Sequence, residues 1–361
     1  MNIAIVHSHK PHEISLAEAV AAGTRGLRWG RGGLKPHLLP LTRWKEAPEL
    51  PGMDLLVYAS LQKSRQPLAE IWLRSGRPMV FLDKGYSREH SRDPNDYKTE
   101  YWRWSLDSWH PKPEQLAYAA EQALEGHIDF RYTDLGWHPG PAQLVGAQND
   151  YILVCPPTPR ASSFFGLGDY QQVLRHALRD IRILRPKQKI VVRPKPAAVD
   201  HFQWTLPDPK LVSWDNPHQP LLVSAKRAEL VLTWTNMVAL EAWRAGVPCA
   251  SLGPCATAPL THQPSLAKAL AKPPKPSIVE RAKLLTGLAW SQFSWAELRS
   301  GHAWATILEH LQAWGGRTPQ EHLPDPSDLQ DPLDSPDTSL SWEDLGLVGE
   351  PRFPHGKDIS S

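Results

Sequence analysis

Residues 231–253 read VLTWTNMVALEAWRAGVPCASLG, and the punctuation of this stretch decides the fold. Apolar Val231 and Leu232 lead into Thr233, and the short polar residues Thr235 and Asn236 follow. Residues 237–245 carry a helical pattern that Gly246 stops, and 247–252 form a second apolar run. Strand, polar turn, helix, glycine and strand make a βαβ unit.

The same alternation extends in both directions. Upstream lie apolar runs at 151–155 and 189–192, a helix with an Arg-rich polar face at 171–184, short strands at 211–214 and 230–233, and a helical turn at 221–225. The N-terminal part opens the same way, with a strand at 3–6, a polar loop at 7–13 and an Ala-rich helix at 14–22. Strands at 35–41, 54–58 and 78–82 follow, with a helix at 67–75. Two stretches of alternating strand and helix predict two doubly wound, largely parallel sheets. Residues 83–113 read as a long polar and aromatic loop, 114–124 as a helix and 129–146 as a linker. Residues 278–314 are helical, with breaks near Gly287 and Gly301.

Length agrees with this division. A chain of 361 residues exceeds what one core usually organises. We expect domains at 1–146 and 147–290, closing helices at 291–315 that pack back across the domains, and a separate tail at 316–361. The tail alternates Pro with Asp and Ser, has few apolar residues, and is expected to be disordered. It carries ten carboxylates and three Lys or Arg, a balance of −7, which leaves +9 of the total +2 on residues 1–315. A basic body suits anionic ligands such as nucleotide phosphates or nucleic acid. No run of about 18 uncharged apolar residues is present, so no membrane partner is expected and the protein is read as cytoplasmic. Cys155, Cys249 and Cys255 lack metal-ligand spacing and are read as reduced, buried thiols, with no metal site. The sixteen Trp are either stacking platforms or core filler.

Four groups of residues carry candidate chemistry. Thr235 and Asn236 stand where a helix N-terminus offers free N–H groups to a diphosphate, and Glu241 follows five or six residues into that helix, within reach of a ribose. Ordinary capping explains the same residues equally well. Arg193 and Lys195, in the Arg-Pro-Lys-Pro turn at 193–196, form a cation pair at a strand end, suited to phosphate oxygens or simply to solvent. The stretch FLDKGYSREH at 81–90 places Asp83 at a strand end as a candidate general base, with Lys84, Tyr86 and Arg88 beside it and Gly85 permitting a sharp turn. A structural pairing of Asp83 with Lys84 or Arg88 is the alternative. His7 and His9 occupy the loop after the first strand, His7 as the reserve base and His9 as an acceptor contact.

In combination, the order strand, Arg-Pro-Lys-Pro, strand, Thr-x-Thr-Asn helix start and Gly-Val-Pro strand resembles the C-terminal half of GT-B glycosyltransferases, over residues 150–260. The capsule-polysaccharide branch is the most similar. The resemblance implies an α/β fold of two facing Rossmann-like domains with a C-terminal crossover helix. It also implies a UDP- or GDP-linked sugar held by Arg193, Lys195, Thr235, Asn236 and Glu241, with no bound cofactor and no metal. Residues 252–260 would then border the donor sugar, making Thr257 a donor contact, although they depart from the sugar-reading pairs of other branches. Residues 288–304, LAWSQFSWAELRSGHAW, resemble a closing segment of phage-encoded GT-B-like proteins that carry a DKGY-type loop. That second resemblance implies DNA as a partner, a hydroxymethylated pyrimidine as the acceptor and the host cytoplasm as the location. Trp102 and Arg103, within the aromatic and basic stretch at 101–104, are then acceptor contacts. A sugar-nucleotide epimerase of the same fold and a non-enzymatic nucleic-acid binder are the alternatives.

Overall fold

The computed structural model describes residues 1–59, 63–86, 101–125, 131–147, 150–202, 206 and 208–314. Arg88 and the tail at 316–361 lie outside the described residues. From the N-terminus the strands run β1 (Asn2–His7), the short pair β2 (Arg28–Trp29) and β3 (Gly32–Gly33), β4 (Lys35–Pro40), β5 (Leu55–Ala59), β6 (Met79–Lys84) and β7 (Trp102–Leu106). They continue as β8 (Tyr151–Cys155), β9 (Lys189–Val192), β10 (Val212–Trp214), β11 (Ala228–Thr233), β12 (Cys249–Ser251) and β13 (Gln292–Phe293).

The chain divides into two compact units. The first holds Met1–Ala142, Pro254–Leu260 and the chain from Pro276 on through the last described helix, and the second holds Gln143–Gly253 and Thr261–Lys275. The expectation of an α/β chain with two largely parallel sheets therefore holds. The helix Ile278–Trp290, expected in the second domain, belongs to the first unit, where it packs on the helices Pro113–Glu125 and Arg131–Asp134. Gly287 does not break it; a Cβ there would lie 2.4 Å from the Leu116 carbonyl oxygen, so the glycine permits close helix packing.

The sheet of the first unit has the order β13-β7-β6-β5-β1-β4, with β4, β1, β5 and β6 parallel and β7 antiparallel to β6. Alternation along its strands sends residues to two covered faces, as a buried parallel sheet requires. Ile3, Ile5, Leu55, Val57 and Val80 join Leu16, Val20, Leu298, Trp304 and Ile307 on one face. Ala4, Leu56, Tyr58 and Phe81 pack with Trp44 and Trp72 on the other. Five tryptophans, at 44, 72, 104, 243 and 304, are among the most deeply buried side chains, which settles those positions as core filler.

The second unit carries an all-parallel sheet in the order β10-β9-β8-β11-β12. The helix Tyr170–Leu184 covers one face through Leu174, Ala177, Leu178 and Ile181, and Asp169 caps its start by accepting from the Gln171 and Gln172 amides at 3.0 and 2.9 Å. In each sheet two neighbouring strands send their following connections in opposite directions: β1 and β5 in the first, β8 and β11 in the second. Ligands of open α/β sheets bind outside the carboxyl ends of strands at such a switch point.

Candidate active site

At the carboxyl end of β1, the His7 ring is half-buried and its Nδ1 lies 2.9 Å from the Ser8 carbonyl oxygen. A carbonyl only accepts, so Nδ1 bears a proton, and in the neutral ring the lone pair is then on Nε2. Behind this loop, Glu13 and Arg65 form an ion pair of 2.7 Å, with side chains only 4% and 1% exposed. Glu13 Oε2 also accepts the Ser8 amide at 3.0 Å, and Arg65 donates to the Ala59 carbonyl at the end of β5. Burial pushes the Glu13 carboxyl up, but the Arg65 guanidinium and the Ser8 amide outweigh it and hold the group below its usual range. The pair thus spans the β1–β5 switch point. His9 is exposed on the same loop.

Asp83, two strands away, faces Arg103. Asp83 Oδ2 accepts from Arg103 Nη2 at 2.7 Å, and Oδ1 accepts the Lys84 amide at 2.9 Å. Arg103 is itself buried, over the rings of Tyr86 and Phe81 at 5.3 and 5.8 Å, and its Nη1 meets His110 Nδ1 at 2.9 Å. Burial works against the Arg103 charge, yet the Asp83 carboxylate and Tyr86 more than restore it; burial and the neighbouring Arg103 charge both drive His110 well below its usual range. Both Asp83 oxygens are thus engaged by neighbours within the unit. Gly85 does not turn the chain through a left-handed conformation. It lets the backbone approach Tyr101, whose carbonyl accepts the Gly85 amide at 2.7 Å, and a Cβ would lie 2.6 Å from that oxygen. Tyr86 is anchored through its amide, which donates to Gln292 Oε1 at 2.9 Å, and burial raises its phenol.

Trp102 and Arg103 correct the sequence reading. They are 4% and 6% exposed inside β7, not on a surface loop, because Trp102 alternates into the core with Trp104 and Leu106 while Arg103 turns to Asp83. The aromatic and basic acceptor face inferred from 101–104 is therefore not present.

In the second unit, the Pro156–Thr158 segment after β8 and the Trp234–Asn236 segment after β11 meet at the switch point. Asn236 Nδ2 donates to the carbonyl of Pro156 at 3.2 Å and to that of Cys155 at 3.5 Å, tying the two loops together. Asn236 and Thr235 do not cap the following helix, which is Ala239–Arg244, only six residues, with Val238 at its N-cap. Glu241 accordingly sits in the first turn, not five residues in.

Arg193 is also corrected. It is 8% exposed, paired with Asp215 Oδ2 at 2.5 Å, and donates to Ser224 Oγ and the carbonyls of Asn216, Pro217 and Gln219. Its Nη1 and Nη2 groups pin the loop after β10. Lys195, two residues on, is exposed at the start of the turn Pro196–His201. Thr257 lies in the first unit, fully buried, with its hydroxyl 3.3 Å from Cys255 Sγ.

No family model and no curated protein matches this chain. Among solved structures it is similar to the beta Kdo 2,4 transferase KpsC of Thermosulfurimonas dismutans, at 13% identity over 80% of this chain and 90% of that one, with a TM-score of 0.48. The beta Kdo 2,7 transferase KpsC of the same organism gives 12% identity over 84% and 99%, with a TM-score of 0.46. A UDP-GlcNAc 2-epimerase of Methanocaldococcus jannaschii gives 12% identity over 86% and 100%, with a TM-score of 0.30. These values are too low to carry an activity, and the functional reading rests on the chain's own geometry.

Proposed function

We propose that the chain is a GT-B-type glycosyltransferase that moves a sugar from a nucleotide-sugar donor to an acceptor hydroxyl. The carrying observation is the second unit's all-parallel sheet, whose β8 and β11 loops are tied together at the switch point by Asn236. Nucleotides bind at this place in sheets of that strand order. Lys195, Thr235 and Glu241 are the proposed donor contacts, with Asn236 fixing the loops. His7 is the proposed general base, its Nε2 taking the acceptor proton as the hydroxyl attacks the anomeric carbon and the nucleoside diphosphate leaves. Asp83 is proposed as a fixed negative charge beside Lys84 and Tyr86 on the acceptor side. No metal takes part in this scheme. A nucleic-acid acceptor is left out of the proposal, because Trp102 and Arg103, the contacts expected for it, lie inside β7.

A panel of UDP- and GDP-linked sugars, scored by thermal stabilisation and then by product analysis, tests the proposal. Stabilisation by a nucleotide sugar with turnover only when an acceptor alcohol is present supports transfer. Conversion of the donor sugar without acceptor indicates an epimerase, and stabilisation by DNA alone indicates a binding protein.

A further inference from the structure

We infer that the buried Glu13–Arg65 pair is a positioning device for His7, fixing the imidazole as its Nδ1–H tautomer with Nε2 as the bare acceptor. The inference rests on the reading of His7 as general base. Its support is a continuous series of contacts. Arg65 Nη2 holds Glu13 Oε2 at 2.7 Å, the same oxygen accepts the Ser8 amide at 3.0 Å, and the Ser8 carbonyl accepts His7 Nδ1–H at 2.9 Å. Ser8 is held from its other side too, since its Oγ accepts the Lys10 amide at 3.2 Å. The segment that orients the ring is thus fixed by two hydrogen bonds, one of them to a buried charge.

The bond from Glu13 to the Ser8 amide joins the pair to the segment that follows β1. Arg65 already reaches the Ala59 carbonyl and Glu13 already sits in the helix Pro11–Ala22. The additional bond from Glu13 to Ser8 is what connects the pair to His7. Neutral imidazole in water prefers the proton on Nε2, so the Nδ1–H form requires a fixed acceptor at Nδ1. The second, buried layer of partners behind a reactive imidazole serves the same purpose in other histidine sites.

The test is nitrogen-detected NMR of the histidines in the full-length protein at neutral pH, with His7 assigned by the loss of its signals in His7→Gln. The wild type is expected to show a protonated Nδ1 and a bare Nε2. In Glu13→Gln the pattern moves toward the Nε2–H form, whereas Arg65→Lys, which keeps a cation beside Glu13, retains the wild-type pattern. If Glu13→Gln does not fold, Glu13→Asp, which withdraws the carboxylate by one methylene, replaces it. A wild-type His7 protonated on Nε2, or a folded Glu13 variant with an unchanged pattern, overturns the inference. With a nucleotide-sugar substrate in hand, the Glu13 variant also loses about tenfold in kcat while KM for the donor stays within about twofold. A chain that binds no nucleotide sugar refutes the glycosyltransferase reading and leaves the tautomer result standing on its own.

Discussion

Arg193→Ala is expected to unfold the protein more readily rather than merely to weaken a ligand. The substitution leaves Asp215, itself buried, without its cation, and breaking such a pair costs about 3–5 kcal/mol. Denaturant melts check this, and an unchanged midpoint contradicts the structural role given to Arg193. Lys195→Ala is expected to do the opposite, leaving the midpoint in place while nucleotide-sugar affinity falls about tenfold, in line with a lost charge-assisted contact. Calorimetric titration of both variants separates the two roles. In the sequence these residues look alike, two cations in Arg-Pro-Lys-Pro after an apolar strand. What distinguishes them is Asp215, 22 positions later, and nothing local to the motif reveals that partner. The same holds for Glu13 and Arg65, which sit 52 positions apart, whereas the place of His7 at the carboxyl end of β1 was legible from the apolar run before it.

At the scale of elements, Gly287→Ala is expected to cost about 1–3 kcal/mol, since a Cβ 2.4 Å from the Leu116 carbonyl forces the helices Ile278–Trp290 and Pro113–Glu125 apart. Helix propensity alone predicts a gain from that substitution, so the sign of the change in a thermal melt decides between propensity and packing. Most elements were readable from periodicity: the strands at 3–6, 54–58 and 78–82 reappear within one or two residues as β1, β5 and β6. The helix at 171–184 reappears as Tyr170–Leu184. β7 was not readable. Its sequence, WRWSL, alternates aromatic and polar residues, but it sits in a polar stretch and pairs antiparallel with β6 through Asp83↔Arg103 and Lys84↔Trp102, so its pattern reflects one core face and one ion pair. The helix after β11 is shorter than its pattern, starting at Ala239 because Asn236 is drawn to the β8 loop.

For the whole molecule, stability is expected to fall as the pH drops from about 6.5 to about 4, before most carboxylates titrate. His310 is 1% exposed, edge-on to Trp104 and Tyr118, and burial pulls it down to about 4. Between those values the unfolded chain binds a proton that the folded chain refuses, so stability is complete above about 6.5 and diminishes below it, by up to about 3 kcal/mol. His310→Phe is expected to reduce that slope in urea melts at pH 7 and pH 4.5, with His110, likewise held well below its usual range, contributing the remainder; an identical slope contradicts the assignment. The division into two α/β units was legible because the strand–helix alternation restarts near 151; a return of the chain was expected only for 291–315, and its start at Pro276 was not legible, since amphipathic helices carry no mark of which sheet they cover.

The most direct measurement of the central claim is the thermal midpoint of the full-length chain titrated with UDP- and GDP-linked sugars, beside duplex DNA. A donor at a hundredfold excess over its Kd is expected to stabilise the fold by about 2.7 kcal/mol, and so to raise the midpoint by several degrees. The gain should diminish in Lys195→Ala and persist in His7→Ala. No shift with any nucleotide sugar, alongside a clear shift with DNA, contradicts the glycosyltransferase reading.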